Sequence, residues 1–409
     1  MTRLTFLVAC LVGAAILPAR GIAAPFIPDS DGQILEQLPV SLVADGGRTM
    51  RERRAQLAAN PTDLPVALAT ARAHVDEARR TGDPRLLGYA EAALAPWWDV
   101  PDPPGPVVVL RATIRQSLHD FDGALADLAR ALERDPNDAQ AWLTQALIQQ
   151  TRGDYAAAKA SCDHVRSVAG RDGGTRMAGV ICAASVASFV GDAGQSRDIL
   201  RQVVAGGTLP SDLQLWALTV LADVETRLGN TDGAIAHYRA ALVIAPRDIA
   251  VRSAFADVLL ERGEPSAVLT LIGDDLRIDA LLLRVVLAEQ ALDVPTSATH
   301  RDDLETRFAA AHLRNDTRQL REESRFALLV QRDAAAALTL AERNWQAQRE
   351  PEDARILLSA ATAAGKPAAA ADVRQWIRDH RLEDRRLAPL TPAAATATRR
   401  PDATAGEAR

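Results

Sequence analysis

The sequence has few aromatic residues, three cysteines and only two lysines. Aromatic residues make up 4% of the 409 residues although apolar residues make up 48%, so the apolar content is mostly alanine, leucine and valine. This composition suits many closely crossing helices better than a sheet core, which is rich in β-branched and aromatic side chains. We therefore expect an all-α fold.

Sequence motifs of hydrolases, metal sites and phosphate-binding loops are also missing. The seven histidines occur neither in an H-E-x-x-H pattern nor close to a cysteine pair, and no G-x-S-x-G sequence is present. Gly173-Gly174 lacks the lysine that follows the glycines of a phosphate loop. We therefore expect a protein without enzymatic activity, and without catalytic residues, metal or cofactor.

The charge balance is mildly acidic. The formal net charge is −6, and residues 1–23 carry Arg3 and Arg20 but no acid, so the rest of the chain is at −8 (−6 minus 2). A basic patch of the kind that binds nucleic acid is not apparent. We expect protein or peptide partners and no nucleic acid.

The amino terminus has the features of an export signal. Arg3 precedes the apolar run Leu4 to Leu17, and Gly21-Ile22-Ala23 has the small-x-small pattern of a cleavage site. The run of 14 residues is shorter than the about 20 apolar residues that cross a bilayer, and no second run of that length follows. We predict a signal peptide over 1–23, cleavage near Ala23 and a periplasmic or secreted protein. An uncleaved anchor is the alternative.

Residues 139–172 contain the best-defined repeat of the chain. Trp142 and Ala146 lie four residues apart on one predicted helix, Gly153 marks a turn, and Tyr155 and Ala158 begin a second helix. Small residues at such positions let two helices cross closely. An alanine, an aromatic residue and an alanine recur 34 residues earlier, at Ala112, Phe121 and Ala124.

A further copy follows over 221–248, with small, aromatic and proline residues in the same order: Ala222, Gly229, Ala234, Tyr238 and Pro246. The pattern resembles the tetratricopeptide repeat (TPR), in which tryptophan, small residues, tyrosine, alanine and proline stand at fixed offsets. The resemblance implies a right-handed α-solenoid of helix–turn–helix units, each of which is stable only when stacked on its neighbours.

The predicted organisation places a repeat array between less regular ends. After the signal peptide we expect an arm and capping helix over 24–67 and the TPR array over 68–273. Degenerate helical repeats follow over 274–385, and a disordered tail over 386–409. The array comprises units at about 68–101, 105–138, 139–172, 177–210, 215–248 and 249–273.

The resemblance also implies a binding surface, because the first helix of each unit lines a concave groove in this family. In the unit at about 249–273 the inward positions are Ala250, Ser253, Ala254 and Asp257. Those we expect to bind a partner are Leu143, Thr144, Leu147, Ser185, Trp216, Thr219, Val220, Asp223 and Asp257. Trp216 is either an anchor for the partner or a side chain buried between helices. These faces carry no asparagine, so the carboxylate clamp of some family members is absent.

Two cysteines follow the predicted signal, Cys162 and Cys182. An even number of cysteines in an oxidising compartment favours a disulfide. The alternative is a pair of buried thiols, because cysteine also behaves as a small apolar residue.

These observations predict an exported, non-catalytic scaffold or adaptor that holds a protein or peptide in its concave groove. A different hypothesis is an enzyme or metal-handling protein with a site in 275–315, built from His300 and the acids Asp274, Asp275, Asp279, Asp302 and Asp303. A third is a self-assembling structural protein of the envelope. The sequence leaves the oligomeric state and the identity of the partner open.

Overall fold

The computed structural model describes Ser30 and residues 45–207 and 209–391. The chain divides into two compact units, residues 1–51 and 52–409. Ser30 and residues 45–51 are the described part of the first unit. The predicted signal peptide and most of the predicted arm lie outside the described residues.

Every regular element in the described residues is helical, which confirms the all-α prediction. The α-helices are α1 (Asp45–Ala59), α2 (Leu64–Thr81), α3 (Arg85–Ala93), α4 (Ala95–Trp98), α5 (Gly105–Ser117), α6 (Phe121–Arg134), α7 (Ala139–Thr151), α8 (Tyr155–Val168), α9 (Gly173–Ala187), α10 (Ala193–Ala205), α11 (Ser211–Arg227), α12 (Thr231–Ile244), α13 (Ile249–Arg262), α14 (Pro265–Ile272), α15 (Asp279–Leu292), α16 (Ser297–Leu313), α17 (Leu320–Phe326), α18 (Ala334–Ala347), α19 (Pro351–Ala363) and α20 (Ala371–Asp379). A π-helical turn (Ala327–Gln331) follows α17, and two 3₁₀ helices (Pro367–Ala370 and Arg385–Leu390) flank α20.

Short polar side chains fix where many of these helices begin. Asp138 accepts a hydrogen bond from the backbone N–H of Ala141 at 2.9 Å, and Asp248 accepts one from Val251 at 2.9 Å. Such a cap satisfies one of the N–H groups that the first turn of a helix leaves unpaired. Asp120, Asp154 and Asn230 cap α6, α8 and α12 in the same way. The repeated aspartate or asparagine thus sets the start of consecutive helices.

The small residues of the repeat pattern lie where two helices cross. Ala146, Ala158, Ala222 and Ala234 are all buried, and so are the aromatic rings of Tyr155 and Tyr238. Trp142 lies half-buried, stacks on His164 and donates its indole N–H to the carbonyl of Pro136 at 2.8 Å. Pro246 is exposed after the end of α12. The pattern therefore marks the close contacts of the array, as crossing helices require.

Cys162 on α8 and Cys182 on α9 form a disulfide, with their Cα atoms 5.6 Å apart. Both residues are fully buried. The bond joins the second helix of one unit to the first helix of the next. It spans the irregular junction at 169–174, where Gly170 has a positive φ of 52°.

The C-terminal helices pack against the interhelix turns of the earlier units. The backbone N–H of Arg349 donates to the carbonyl of Thr151 at 2.8 Å, and the Tyr155 hydroxyl donates to the carbonyl of Arg349 at 2.8 Å. Further along, the backbone N–H of Ala193 donates to Glu383 at 2.7 Å. Residues 348–349 and 381–385 therefore contact the turns at 119, 153, 191 and 229.

Two of these turns need glycine because of the close approach. A Cβ at Gly153 would lie 3.0 Å from Cβ of Arg349, and one at Gly229 would lie 2.8 Å from Cδ of Arg385. Both glycines have φ of +79°, a conformation that other residues rarely adopt. The turn glycines of the repeat pattern thus also provide the contact surface for the C-terminal helices.

The segment 275–315, part of the predicted degenerate helical repeats, forms the helix pair α15 and α16. The prediction that the tail begins at 386 is wrong for its first residues. Arg385–Leu390 is a 3₁₀ helix, and Leu387 is buried in the same apolar cluster as Trp376 and Leu357. Leu387 and the partly buried Leu390 anchor this turn, which the alanine- and proline-rich composition of the predicted tail concealed. Residues 392–409 of the predicted tail lie outside the described residues.

Among the helices of the described ranges, none combines the length and the apolar character required to cross a membrane.

Candidate functional site

The first helices of several units and the C-terminal helices enclose a cavity of about 660 Å³, called here the inner cavity. Its wall includes Ala250, Ser253, Ala254 and Asp257, the four inward positions of α13. Pockets of 300–1,000 Å³ hold ligands of small-molecule size. A helix with side chains is about 10 Å across, so the inner cavity suits an extended segment better than a whole helix.

The wall carries six arginines and six carboxylates, so its charges balance. The basic residues are Arg79, Arg227, Arg284, Arg321, Arg325 and Arg386, and the acidic residues are Asp223, Asp248, Asp257, Glu322, Glu350 and Glu352. Most of them neutralise each other within the wall: Arg321 pairs with Glu350 at 2.6 Å, and Arg386 with Glu352 at 2.6 Å. The groups that remain are those that can bind a ligand.

Asp257 is the most completely neutralised carboxylate in this wall. It accepts hydrogen bonds from Arg284 at 2.8 Å and from Arg325 at 2.6 Å, and Arg284 also pairs with Glu322 at 2.6 Å. Burial would raise the pKa of Asp257, but the two guanidinium groups outweigh it and hold the pKa well below its usual range. Asp257 is a structural anion that joins α13, α15 and α17.

Asp223, on α11, has a different environment. Its carboxylate accepts a hydrogen bond from the hydroxyl of Tyr238, which is fully buried behind it, and the Asp223 side chain is exposed to the cavity. No arginine of the described residues lies within ion-pairing distance of it. The surrounding protein desolvates the carboxylate and raises its pKa to about 6, although the Tyr238 hydrogen bond and the more distant Arg227 oppose this.

Arg227 lies one helical turn after Asp223 and is buried. Its guanidinium donates to the carbonyl and to the hydroxyl of Ser188, both at 2.7 Å, and lies 4.7 Å from the centre of the Phe189 ring. Within the described part of the chain it has no carboxylate partner, and burial lowers its pKa. Asp223 and Arg227 therefore bring one negative and one positive group to the cavity without direct ion pairs.

Two further charged groups complete the wall. Asp248 serves as the N-cap of α13, and Arg79 is exposed. A second cavity of about 540 Å³ shares Asp257, Arg325 and Glu352 with the first, and its wall combines these and other charged residues with leucines such as Leu260 and Leu287. The ion pairs of Asp257 therefore contribute to both cavities.

Of the residues that the sequence predicted to form the groove, only Asp223 and Asp257 line the inner cavity. Thr144, Ser185 and Val220 are buried, so that part of the prediction is wrong: packed helices exclude a partner from them. Thr144 donates to the carbonyl of Gln140 and Ser185 to the side chain of Gln150. Leu147 and Thr219 are partly buried away from the cavity.

Leu143 and Trp216 are partly buried against the apolar cluster that contains the C-terminal residues Leu357 and Trp376. Trp216 also packs on the cluster around Ile181 and Leu221. Its position between two apolar clusters agrees with the structural alternative, and its role as a partner anchor stays a prediction.

The side chains of the 275–315 hypothesis are distributed among separate pairs. Asp275 pairs with Arg247 and Arg252, Asp279 and Asp303 pair with Arg307, and His300 contacts Glu289 at 2.8 Å. Among the described residues, no group of three or more histidine, cysteine or acidic side chains is placed to hold a metal ion.

Sequence reasoning missed the part of the cavity wall that comes from α15, α17 and α19. Arg284, Arg325 and Glu352 belong to units whose repeat pattern is degenerate, and no offset in the sequence relates them to Asp223. The available signal was the charged stretch Leu320–Phe326, LREESRF, which directly precedes the apolar residues 327–330, ALLV.

No family model matches the sequence, and no curated protein matches it. Among solved structures, the chain is similar to the human IFIT1 dimer with PPP-AAAA, with 10% identity over 83% of this chain and 79% of that chain and a TM-score of 0.47. It is also similar to a tetratricopeptide repeat protein from Parabacteroides merdae, with 12% identity over 72% of this chain and 97% of that chain and a TM-score of 0.36. Similarities at these TM-scores carry no argument about a partner.

The identification of the repeat class therefore depends on the chain itself. Consecutive helix pairs have alanines at their crossings, and glycines with positive φ form their turns at 153, 191 and 229. The units at 139–172 and 105–138 repeat with an offset of 34 residues. The chain is an all-α helical-repeat protein built of TPR-like units.

Proposed function

We propose that this protein is an exported, non-catalytic scaffold that binds an extended segment of a partner protein in the inner cavity. The observation that carries the proposal is Asp223, whose carboxylate faces this cavity without an ion pair to the described residues. A buried or confined charge without a partner costs free energy, which a ligand with complementary groups recovers.

The size of the cavity and the cover over the turns support a short segment as the ligand. Residues 348–349 and 381–385 contact the interhelix turns, and the cavity, whose wall includes Glu350, Glu352 and Arg386, has the volume of a small-molecule pocket. An extended peptide presents backbone hydrogen-bonding groups and alternating side chains, which suits a wall that mixes alanines with charges. Export is proposed from the sequence of residues 1–23.

The proposal can be tested with fluorescein-labelled random decapeptides, whose binding is measured by fluorescence anisotropy. The variant Ala250→Trp fills the cavity from an exposed position on its wall, and Ala236→Trp, at an exposed position on α12, is the matched control. We expect peptides selected on the wild type to bind the control equally well and the Ala250→Trp variant at least tenfold more weakly.

Equal binding by all three proteins, or no peptide selected by the wild type, would contradict the proposal. Far-UV circular dichroism and thermal unfolding establish that the Ala250→Trp variant is folded. Its position at an exposed wall site means that the added indole enters empty space rather than the core.

A further inference from the structure

Asp223 and Asp257 occupy the same position in consecutive repeat units, 34 residues apart. Asp257 shows what this position binds when a partner is available: two guanidinium groups, at 2.8 and 2.6 Å. At Asp257 the protein therefore shows how a guanidinium group binds to an aspartate at this repeat position.

The first helix of the following unit, α13, explains why Asp223 has no such partner. Arg284, which pairs with Asp257, is the sixth residue of α15, whereas the sixth residue of α13 is Ala254. An alanine cannot reach Asp223, and Ala254 instead forms part of the cavity wall. The space that an arginine side chain would fill is open cavity at this unit.

The nearby cations are engaged elsewhere. Arg227 donates to Ser188 and lies over Phe189, and Arg386 pairs with Glu352 and Asp384 at 2.6 and 2.7 Å. Glu352, the nearby acid, is itself held by Arg386 and Arg355. Tyr238 donates to Oδ1 of Asp223, and Oδ2 accepts no hydrogen bond from the described residues.

We propose that Asp223 binds the guanidinium of an arginine side chain carried by the bound peptide segment. The inference depends on the proposed function, which supplies the peptide. The carboxylate is oriented by the rigid Tyr238 and leaves one oxygen open, and a guanidinium fits a carboxylate with two parallel hydrogen bonds. Ser253 lines the same wall, its hydroxyl has no hydrogen-bond partner among the described residues, and it offers a further acceptor for the bound segment.

The experiment compares two peptides that differ by one neutral, nearly isosteric replacement. A peptide selected on the wild type is synthesised with arginine and with citrulline at each position in turn, and affinities are measured by isothermal titration calorimetry at pH 8. The variants are Asp223→Asn and, as the matched control, Asp212→Asn, which removes an exposed carboxylate from the same helix. Free argininamide is titrated as a separate probe.

We expect one arginine position at which the wild type and Asp212→Asn prefer arginine over citrulline at least tenfold, and a preference below twofold in Asp223→Asn. If the arginine and citrulline peptides bind equally, and the Ala250→Trp variant binds neither, then the cavity binds peptide but Asp223 does not recognise arginine. If neither peptide binds, the proposed function itself fails. If free argininamide binds as tightly as the arginine peptide, the guanidinium comes from a small molecule and the peptide assignment is overturned.

Discussion

Asp223 and Asp257 stand at the same position of two neighbouring units and yet have opposite environments. Two arginines surround Asp257 and depress its pKa, whereas Asp223 receives one phenol hydroxyl and has its pKa raised to about 6. The difference arises on the first helix of the following unit. This helix carries Arg284 in the unit after Asp257 but Ala254 in the unit after Asp223. The same repeat position therefore has its charge neutralised within the protein or left open to the cavity, according to what the next unit provides.

The comparison also separates stability from function within one fold. At Asp257 the charge is compensated internally, so its removal should damage the protein. At Asp223 the charge is uncompensated, so its removal should damage binding and relieve the folded state.

The largest effect is expected for Asp257→Asn. The change leaves Arg325 and Arg284, both nearly buried, without the carboxylate that they share, and breaking a buried ion pair costs about 3 kcal/mol. Urea unfolding should show this loss in the free energy of unfolding. The control Asp232→Asn breaks an exposed pair with Arg262 and should change stability by less than about 0.5 kcal/mol. Equal stability of the two variants would contradict the structural role of Asp257.

The second test makes Asp223 resemble Asp257. Ala254→Arg places a guanidinium on the helix position that Arg284 occupies in the next unit. We expect it to neutralise Asp223, lower its pKa and weaken the arginine peptide at least tenfold. Calorimetric titration with the peptide measures this, with Ala236→Arg as the exposed control. Undiminished binding in a folded Ala254→Arg variant would show that the peptide does not use Asp223.

Lowering the pH should imitate that substitution in the wild type. With a pKa of about 6, Asp223 is about one-tenth ionised at pH 5, so the affinity for the arginine peptide should fall about tenfold between pH 8 and pH 5. Asp257, with its depressed pKa, and Glu352, whose pKa Arg355 and Arg386 lower to about 2 against the effect of burial, keep their charge over this range. The citrulline peptide is the control, and an equal pH dependence of both peptides would exclude Asp223 as the titrating group.

The smallest effect is expected on the stability of Asp223→Asn. A carboxyl whose folded pKa is raised contributes stability below its unfolded value of 3.8, and this contribution is lost as the pH rises through about 6. At pH 8 the ionised form therefore destabilises the fold, by ~1 kcal/mol once solvent screening at this accessible side chain is considered. Thermal unfolding should show Asp223→Asn more stable than the wild type at pH 8, with a smaller difference at pH 4. A less stable variant at pH 8 would contradict the uncompensated charge.

Much of the fold could be predicted from the sequence because its signals are local. Alanines at helix crossings and glycines at turns each act within a few residues, and the structure places Ala146 and Gly153 in those roles. The resemblance to the tetratricopeptide repeat implied the inward positions of Asp223 and Asp257, and both residues line the inner cavity. Each of these assignments needed only one repeat unit.

The rest depended on contacts between residues far apart in the chain. The approach of Arg349 to Gly153, and of Arg325 to Asp257, joins the degenerate C-terminal units to the regular array. No local pattern specifies these contacts, so the predicted groove extended over Thr144 and Ser185, which packing buries. The inner cavity is formed only where the degenerate C-terminal units contact the regular repeat array.

The most direct measurement of the central claim is a crystal structure of the protein with the selected arginine peptide. We predict that the peptide lies in the inner cavity with a guanidinium nitrogen about 2.8 Å from the Asp223 carboxylate, in the manner of Arg284 on Asp257. A peptide bound outside the cavity, or an arginine paired with another carboxylate while Asp223 stays free, would contradict the account.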